Sequence, residues 1–130
     1  MATPRLAYSP QPMAVFDMSV ALEYVGGDTT LLREVVGICL EEFTENMPLI
    51  WQALRKGDCS SIDDVAHVLQ TQLATVGARP AAEAARELEM AARAGDLLRS
   101  KQWTAALETE LGRLVPLLNV LRDRAPAIEV

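Results

Sequence analysis

Apolar side chains recur three and four residues apart through most of this chain, and glycine cuts the pattern at a few sharp points. Only a helix brings positions spaced in this way onto one face, so the chain is confined to amphipathic helices with short joints. No run of strict polar–apolar alternation competes for a strand. Alanine and leucine supply much of the apolar half of the composition, which favours helix as well.

Five helical segments follow from the pattern. Asp17 caps a short helix that runs through Val25, with Leu22 and Val25 turned inward, and Gly26-Gly27-Asp28 breaks it. A long helix starts near Thr29 and ends near Gly57-Asp58, with Leu32, Val36, Cys39, Phe43, Ile50 and Leu54 in one phase. The phase survives Pro48, which leaves either one kinked helix or two nearly collinear ones. Ser60 with Asp63 resembles a capping box for the next helix, which runs to about Val76 and stops at Gly77. Pro80 opens the following helix in its first turn, where the missing N–H does no harm. One face of that helix carries Ala81, Ala84, Ala85, Leu88, Ala91 and Ala92, a stripe suited to close packing, and Gly95-Asp96 ends it. The last helix presents Trp103, Leu107, Leu111, Leu114, Leu118 and Leu121, and Pro116 should kink it without ending it.

The expected fold is therefore all-α: an antiparallel four-helix bundle with a short additional N-terminal helix. Glycine and proline breaks divide the chain too often for a continuous coiled coil. Residues 1–15, with Pro4, Pro10 and Pro12, read as a flexible N-terminal arm, residues 16–122 as the bundle, and residues 123–130 as a frayed C-terminus.

At 130 residues the chain fits one domain with a real core. Its formal net charge of −6 argues against nucleic-acid binding, which needs a basic face. No apolar run is long enough to span a bilayer, and MATPRLAYSPQPMAVF lacks the apolar core of a signal peptide, so a cytoplasmic location is expected. Cys39 lies on an apolar stripe and Cys59 in a turn, which suits two unrelated reduced thiols. Trp51 and Trp103 read as core or rim packing, and the acidic runs Glu41-Glu42 and Glu108 to Glu110 as solvated helix faces.

The single histidine stands apart. From Ser61 to Gly77 the sequence reads SIDDVAHVLQTQLATVG, with Ile62, Val65, Ala66, Leu69, Leu73 and Val76 on one stripe. At about 100° per residue, His67 falls roughly 140° from the centre of that stripe, on the face shared by Asp63, Gln70, Thr71 and Ala74. One histidine cannot make a histidine-rich zinc site, and Asp63 with His67 offers two ligands without a local third. A Cys–His pair meets only in the fold, so spacing does not decide it, but Cys39 on its apolar stripe reads as buried, which argues against one. No glycine-rich phosphate loop is present, which argues against nucleotide hydrolysis. What remains is an outward-facing imidazole, whose ring nitrogen in its neutral form can attack an activated phosphoryl group brought by a second protein.

The segment AHVLQTQLATVGA, Ala66 to Ala78, resembles the signature of histidine-containing phosphotransfer (HPt) domains, roughly A-H-x-L-K-G-x-x-x-x-x-G-A. Ala66, His67, Leu69, Gly77 and Ala78 match it. GGDTTLLREVVGICLEEF, Gly26 to Phe43, resembles the family's first long helix, with Met47-Pro48 at its usual bend. LRKGD, Leu54 to Asp58, and ELEMAARAGD, Glu87 to Asp96, are similar to the joints on either side of the histidine helix.

The resemblance implies a phosphorelay carrier, not a true enzyme, that exchanges a phosphoryl group between His67 and the aspartate of a response-regulator receiver domain. A hybrid sensor kinase is a second partner the resemblance allows. The carrier holds no cofactor of its own, and the receiver supplies Mg²⁺. Two positions depart from the pattern: Gln70 stands where the family has lysine, and Thr71 where it has glycine. Both face the same side as His67 and are candidate contacts to phosphate or partner. Asp63 nearby would repel phosphate. The departures keep an alternative open, a degenerate HPt-like interaction module that binds a receiver or another signalling protein without being phosphorylated.

Overall fold

The structure, a computed structural model, describes residues 14–124. Five helices follow in chain order: α1 (Met18–Tyr24), α2 (Thr29–Lys56), α3 (Cys59–Thr75), α4 (Arg79–Arg93) and α5 (Leu97–Arg124). Helices α2, α3, α4 and α5 each pack against two others in the cycle α2–α3–α4–α5–α2, which closes a four-helix bundle, and α1 touches α2 and α3. Most of the expected N-terminal arm and most of the expected frayed C-terminus lie outside the described residues, and α5 itself continues to Arg124.

The centre of each stripe read from the sequence is buried, while Leu22, Leu54, Val65, Trp103 and Leu121 are partly covered at its margins. Leu32, Val36 and Ile50 of α2 meet Ile62, Leu69 and Leu73 of α3, Leu88 of α4, and Leu107, Leu114 and Leu118 of α5 in a single core. The alanines at 81, 84, 85 and 92 of α4 belong to the same core. Their small side chains let backbones approach, and α3 and α4 share the most extensive helix–helix interface in the molecule. That interface carries the histidine. Pro48 lies inside a single α2, so the alternative of two collinear helices falls away, and Pro116 lies inside α5.

Two expectations are corrected. The cap of α3 is Asp58, not Ser60 with Asp63: the Asp58 carboxylate accepts from Ser61 N–H at 3.1 Å and from the Ser61 hydroxyl at 2.7 Å. Gly57, at φ 69°, turns the chain out of α2 and places Asp58 directly at the start of the next helix. The acidic run in α5 is not wholly solvated either. Glu110 is fully buried and pairs with Arg113 at 2.8 Å, because it lies three residues after Leu107 and four before Leu114, on the stripe itself. Glu108 is exposed and accepts a hydrogen bond from the Trp51 indole at 2.7 Å, which ties α5 to α2. Glu42 accepts from the Gln72 amide, linking α2 to α3.

The joint after α3 is tightly built. Gly77 has φ +76°, and a Cβ placed there would stand 2.6 Å from the Asp17 carbonyl oxygen. The Asp17 N–H donates to the Gly77 carbonyl at 3.0 Å, so the entry to α1 seats against the end of the histidine helix.

Candidate functional site

His67 sits midway along α3, between the fully buried Ala66 and the exposed Val68, and its side chain is 63% exposed. Ala66 and Leu69 fix the helix face against the core, so the imidazole is held outward by its neighbours' burial. This agrees with the angular offset in the sequence.

The ring is not free-standing. Its Nδ1 lies 2.9 Å from Oε2 of Glu89 on α4, and the Glu89 side chain is only 10% exposed. The same Oε2 accepts from Nη2 of Arg93 at 2.8 Å. Arg93 also reaches back to α3, donating from Nη2 to Asp63 Oδ1 at 3.0 Å and from Nε to Asp63 Oδ2 at 3.3 Å. The fork-like pairing with Asp63 is the larger influence holding the guanidinium above its ordinary pKa, and Glu89 adds to it. The four side chains thus form a chain across the α3–α4 groove: imidazole, carboxylate, guanidinium, carboxylate.

A carboxylate already engaged by a guanidinium has only acceptor capacity to offer the imidazole. Nδ1 must then carry the ring proton, which leaves the Nε2 lone pair as the nucleophilic position. The geometry fixes the tautomer and the ring orientation together.

Of the two departures from the family pattern, Gln70 is half-buried on the histidine face. The Thr71 hydroxyl donates to the His67 carbonyl at 3.1 Å, so its hydrogen is committed to the backbone of its own helix. Asp63 is neutralised by Arg93 in place of facing the histidine as an open charge. Among the described residues no group of three or more His, Cys, Asp and Glu side chains could hold a metal ion. No helix among them is long and apolar enough to cross a membrane. Cys39 is buried and Cys59 half-buried, and both thiols are free.

Glu89 and Arg93 are absent from the sequence reading. A signal was there: Glu89 lies four residues after Ala85 and three before Ala92, a lone carboxylate on an otherwise apolar face. A charge in that place is buried only with a partner.

The structure also separates the roles of the signature residues. Ala66 and Leu69 are core, Ala78 is a buried helix cap, and Gly77 is required by its backbone. Only His67 is presented to solvent.

The comparisons with known proteins point the same way. The crystal structure of histidine-containing phosphotransfer protein B (HptB) from Pseudomonas aeruginosa PAO1 superposes with a TM-score of 0.79 at 23% identity, covering 85% of this chain and 96% of that one. At that identity the likeness speaks for the fold. Among curated proteins none matches. The model of the Hpt domain family matches residues 34–115, a span from the second turn of α2 through the histidine helix into α5. With that match over most of its length, a four-helix bundle and one outward histidine at the signature position, the chain belongs to the Hpt domain family of phosphorelay signalling.

Proposed function

We propose that this protein is a cytoplasmic phosphocarrier whose His67 Nε2 accepts a phosphoryl group from the phospho-aspartate of a response-regulator receiver domain and returns it. The observation that carries this reading is the His67–Glu89 pair: an exposed ring with Nδ1 held at 2.9 Å by a nearly buried carboxylate. In the forward step the Nε2 lone pair forms the N–P bond while the P–O bond to the aspartate breaks, and the carboxylate leaves with that electron pair. The Nδ1 proton stays on the ring, hydrogen-bonded to Glu89, which offsets the positive charge the ring gains. A receiver-bound Mg²⁺ supplies charge stabilisation from the partner's side. This domain contributes position: the rigid α3–α4 pair holds the nucleophile in one orientation for whichever partner docks.

The test is labelling by a phosphorylated receiver and, independently, by phosphoramidate, a small phosphodonor that needs no receiver. Wild-type protein should take up acid-labile phosphate, and ³¹P NMR should place it on Nε2. His67→Gln should abolish labelling with an unchanged circular dichroism spectrum, since an exposed side chain carries little packing energy. Undiminished labelling of His67→Gln would move the phosphate elsewhere. A wild-type chain that binds a receiver but takes no label from either donor would be the interaction module.

A further inference from the structure

The family signature places a lysine one turn after the histidine, and this chain has the neutral Gln70 there. A phosphoryl group on His67 would then meet Asp63 and Asp64 on its own helix and Glu89 across the groove. The cations near it on α4 are Arg93 and, one turn before Glu89, Arg86. Arg93 alone of these two is wired to the histidine. Its Nη2 and the His67 Nδ1 share a single oxygen of Glu89. Its side chain is 63% exposed and its two bonds to Asp63 are exposed as well, so a change of rotamer gives up one part-buried bond, that to Glu89. Its Nε and Nη2 hydrogens serve Asp63 and Glu89, while the two Nη1 hydrogens have no acceptor among the described residues.

Resting on the phosphocarrier reading above, we propose that Arg93 is the phosphate-holding cation of this domain, supplied from α4 in place of the missing signature lysine. On phosphorylation of Nε2 the guanidinium shifts together with the Asp63 carboxylate, lets go of Glu89 and donates from Nη1 to a phosphoryl oxygen. The fork to Asp63 acts as a tether that keeps the group within reach. Arginine suits the task because its planar donors can serve a carboxylate and a phosphoryl group together. Glu89 stays with the Nδ1 proton throughout, so the imidazole keeps its orientation while the cation changes partner.

The experiment labels the protein at His67 with phosphoramidate. Nε2 bonds to phosphorus as the P–N bond to the departing ammonia breaks, so no receiver enters the measurement. The phosphoryl group is then titrated by ³¹P NMR. A contacting cation favours the dianion, so Arg93→Gln should raise the titration midpoint by about half a pH unit. Arg93→Lys should give a smaller rise, because it keeps the charge and loses the fork. Arg86→Gln serves as the control for charge without contact and should leave the midpoint in place. In the double variant Arg93→Gln, Gln70→Lys, a cation on the other side of the ring should bring the midpoint back towards wild type. That rescue separates phosphate binding from a mere role in positioning Glu89, since it does not rebuild the Asp63–Arg93–Glu89 chain. An unchanged midpoint in Arg93→Gln, or a shift equalled by Arg86→Gln, overturns the proposal while leaving His67 as the carrier. Absence of label at His67 in the wild type overturns the phosphocarrier reading and this inference with it.

Discussion

Gly77 and Gly95 offer a matched pair of substitutions that weighs the seat of α1 against a purely conformational cost. Both have positive φ, +76° and +73°. Alanine at either position is forced into the left-handed region at about 1–2 kcal/mol. At Gly95 nothing lies within 4 Å of an added Cβ, so the cost should stop there. At Gly77 the Cβ would lie 2.6 Å from the Asp17 carbonyl oxygen and 3.0 Å from the Val20 Cβ, and the nearer contact is backbone that cannot rotate away. The start of α1 has to move. That breaks the hydrogen bond from Asp17 N–H to the Gly77 carbonyl, worth about 1 kcal/mol. It also loosens Ala21 and Val25, which bury the inner side of α1 and its end. Partial loss of that burial adds about 1–2 kcal/mol.

Gly77→Ala should therefore destabilise by about 2–3 kcal/mol more than Gly95→Ala. For a domain of this size that is a gap of about 10 °C between the two melting temperatures. Thermal unfolding followed by circular dichroism measures it, and amide hydrogen exchange at Ala21 and Val25 should quicken in Gly77→Ala alone. Equal melting temperatures with unchanged exchange would refute the reasoning. They would mean that α1 yields without cost and that this glycine answers only to its φ angle.

Two further outcomes are expected. Asp58→Ala should lower the melting temperature by removing the cap of the histidine helix. Hydrogen bonds from the Ser61 hydroxyl and N–H hold the Asp58 carboxyl below its ordinary 3.8, so the cap's contribution is present above that pH and is lost as pH falls through the lower folded value. The two proteins should differ at neutral pH and converge in acid. Burial pushes the Cys39 thiol up to about 11, so at mildly alkaline pH an alkylating reagent should modify Cys59 in the native protein and Cys39 only after unfolding. The raised value also stabilises the fold below pH 9.0 and loses that stabilisation as pH climbs through about 11, because the unfolded thiol ionises first. Rapid modification of both thiols in native protein would contradict the burial.

Much of the bundle was legible because helical periodicity and joint chemistry are local. The phase of Leu32, Val36, Cys39 and Phe43 needs no knowledge of what it packs against, and neither does the outward offset of His67. The start of α3 was misplaced because Asp58 and Ser60 are both good caps. Local preference could not choose between them, and the left-handed turn at Gly57 does. The seat of α1 on Gly77 was hidden for a different reason, since it joins residues 60 apart in sequence through backbone atoms that leave no composition signal.

The two buried glutamates show where such reading stops. Glu89 and Glu110 carry the same local pattern: a carboxylate on an apolar stripe with an arginine one turn later, Arg93 and Arg113. The pattern marks each as a charge that is buried only with a partner, although the sequence reading takes Glu110 for a solvated residue and passes over Glu89. The pattern cannot say which of them bears on the chemistry. That depends on the register of the neighbouring helix. The α3–α4 register sets His67 beside Glu89 and Asp63 beside Arg93, with the alanine stripe of α4 bringing the helices close. Gln70 is then not simply a lost lysine. On the proposal that Arg93 holds the phosphate, the charge a phosphoryl group needs is carried by the facing helix, and the carboxylate that orients the imidazole also holds that charge in waiting. The HPt signature, read along one helix, records neither.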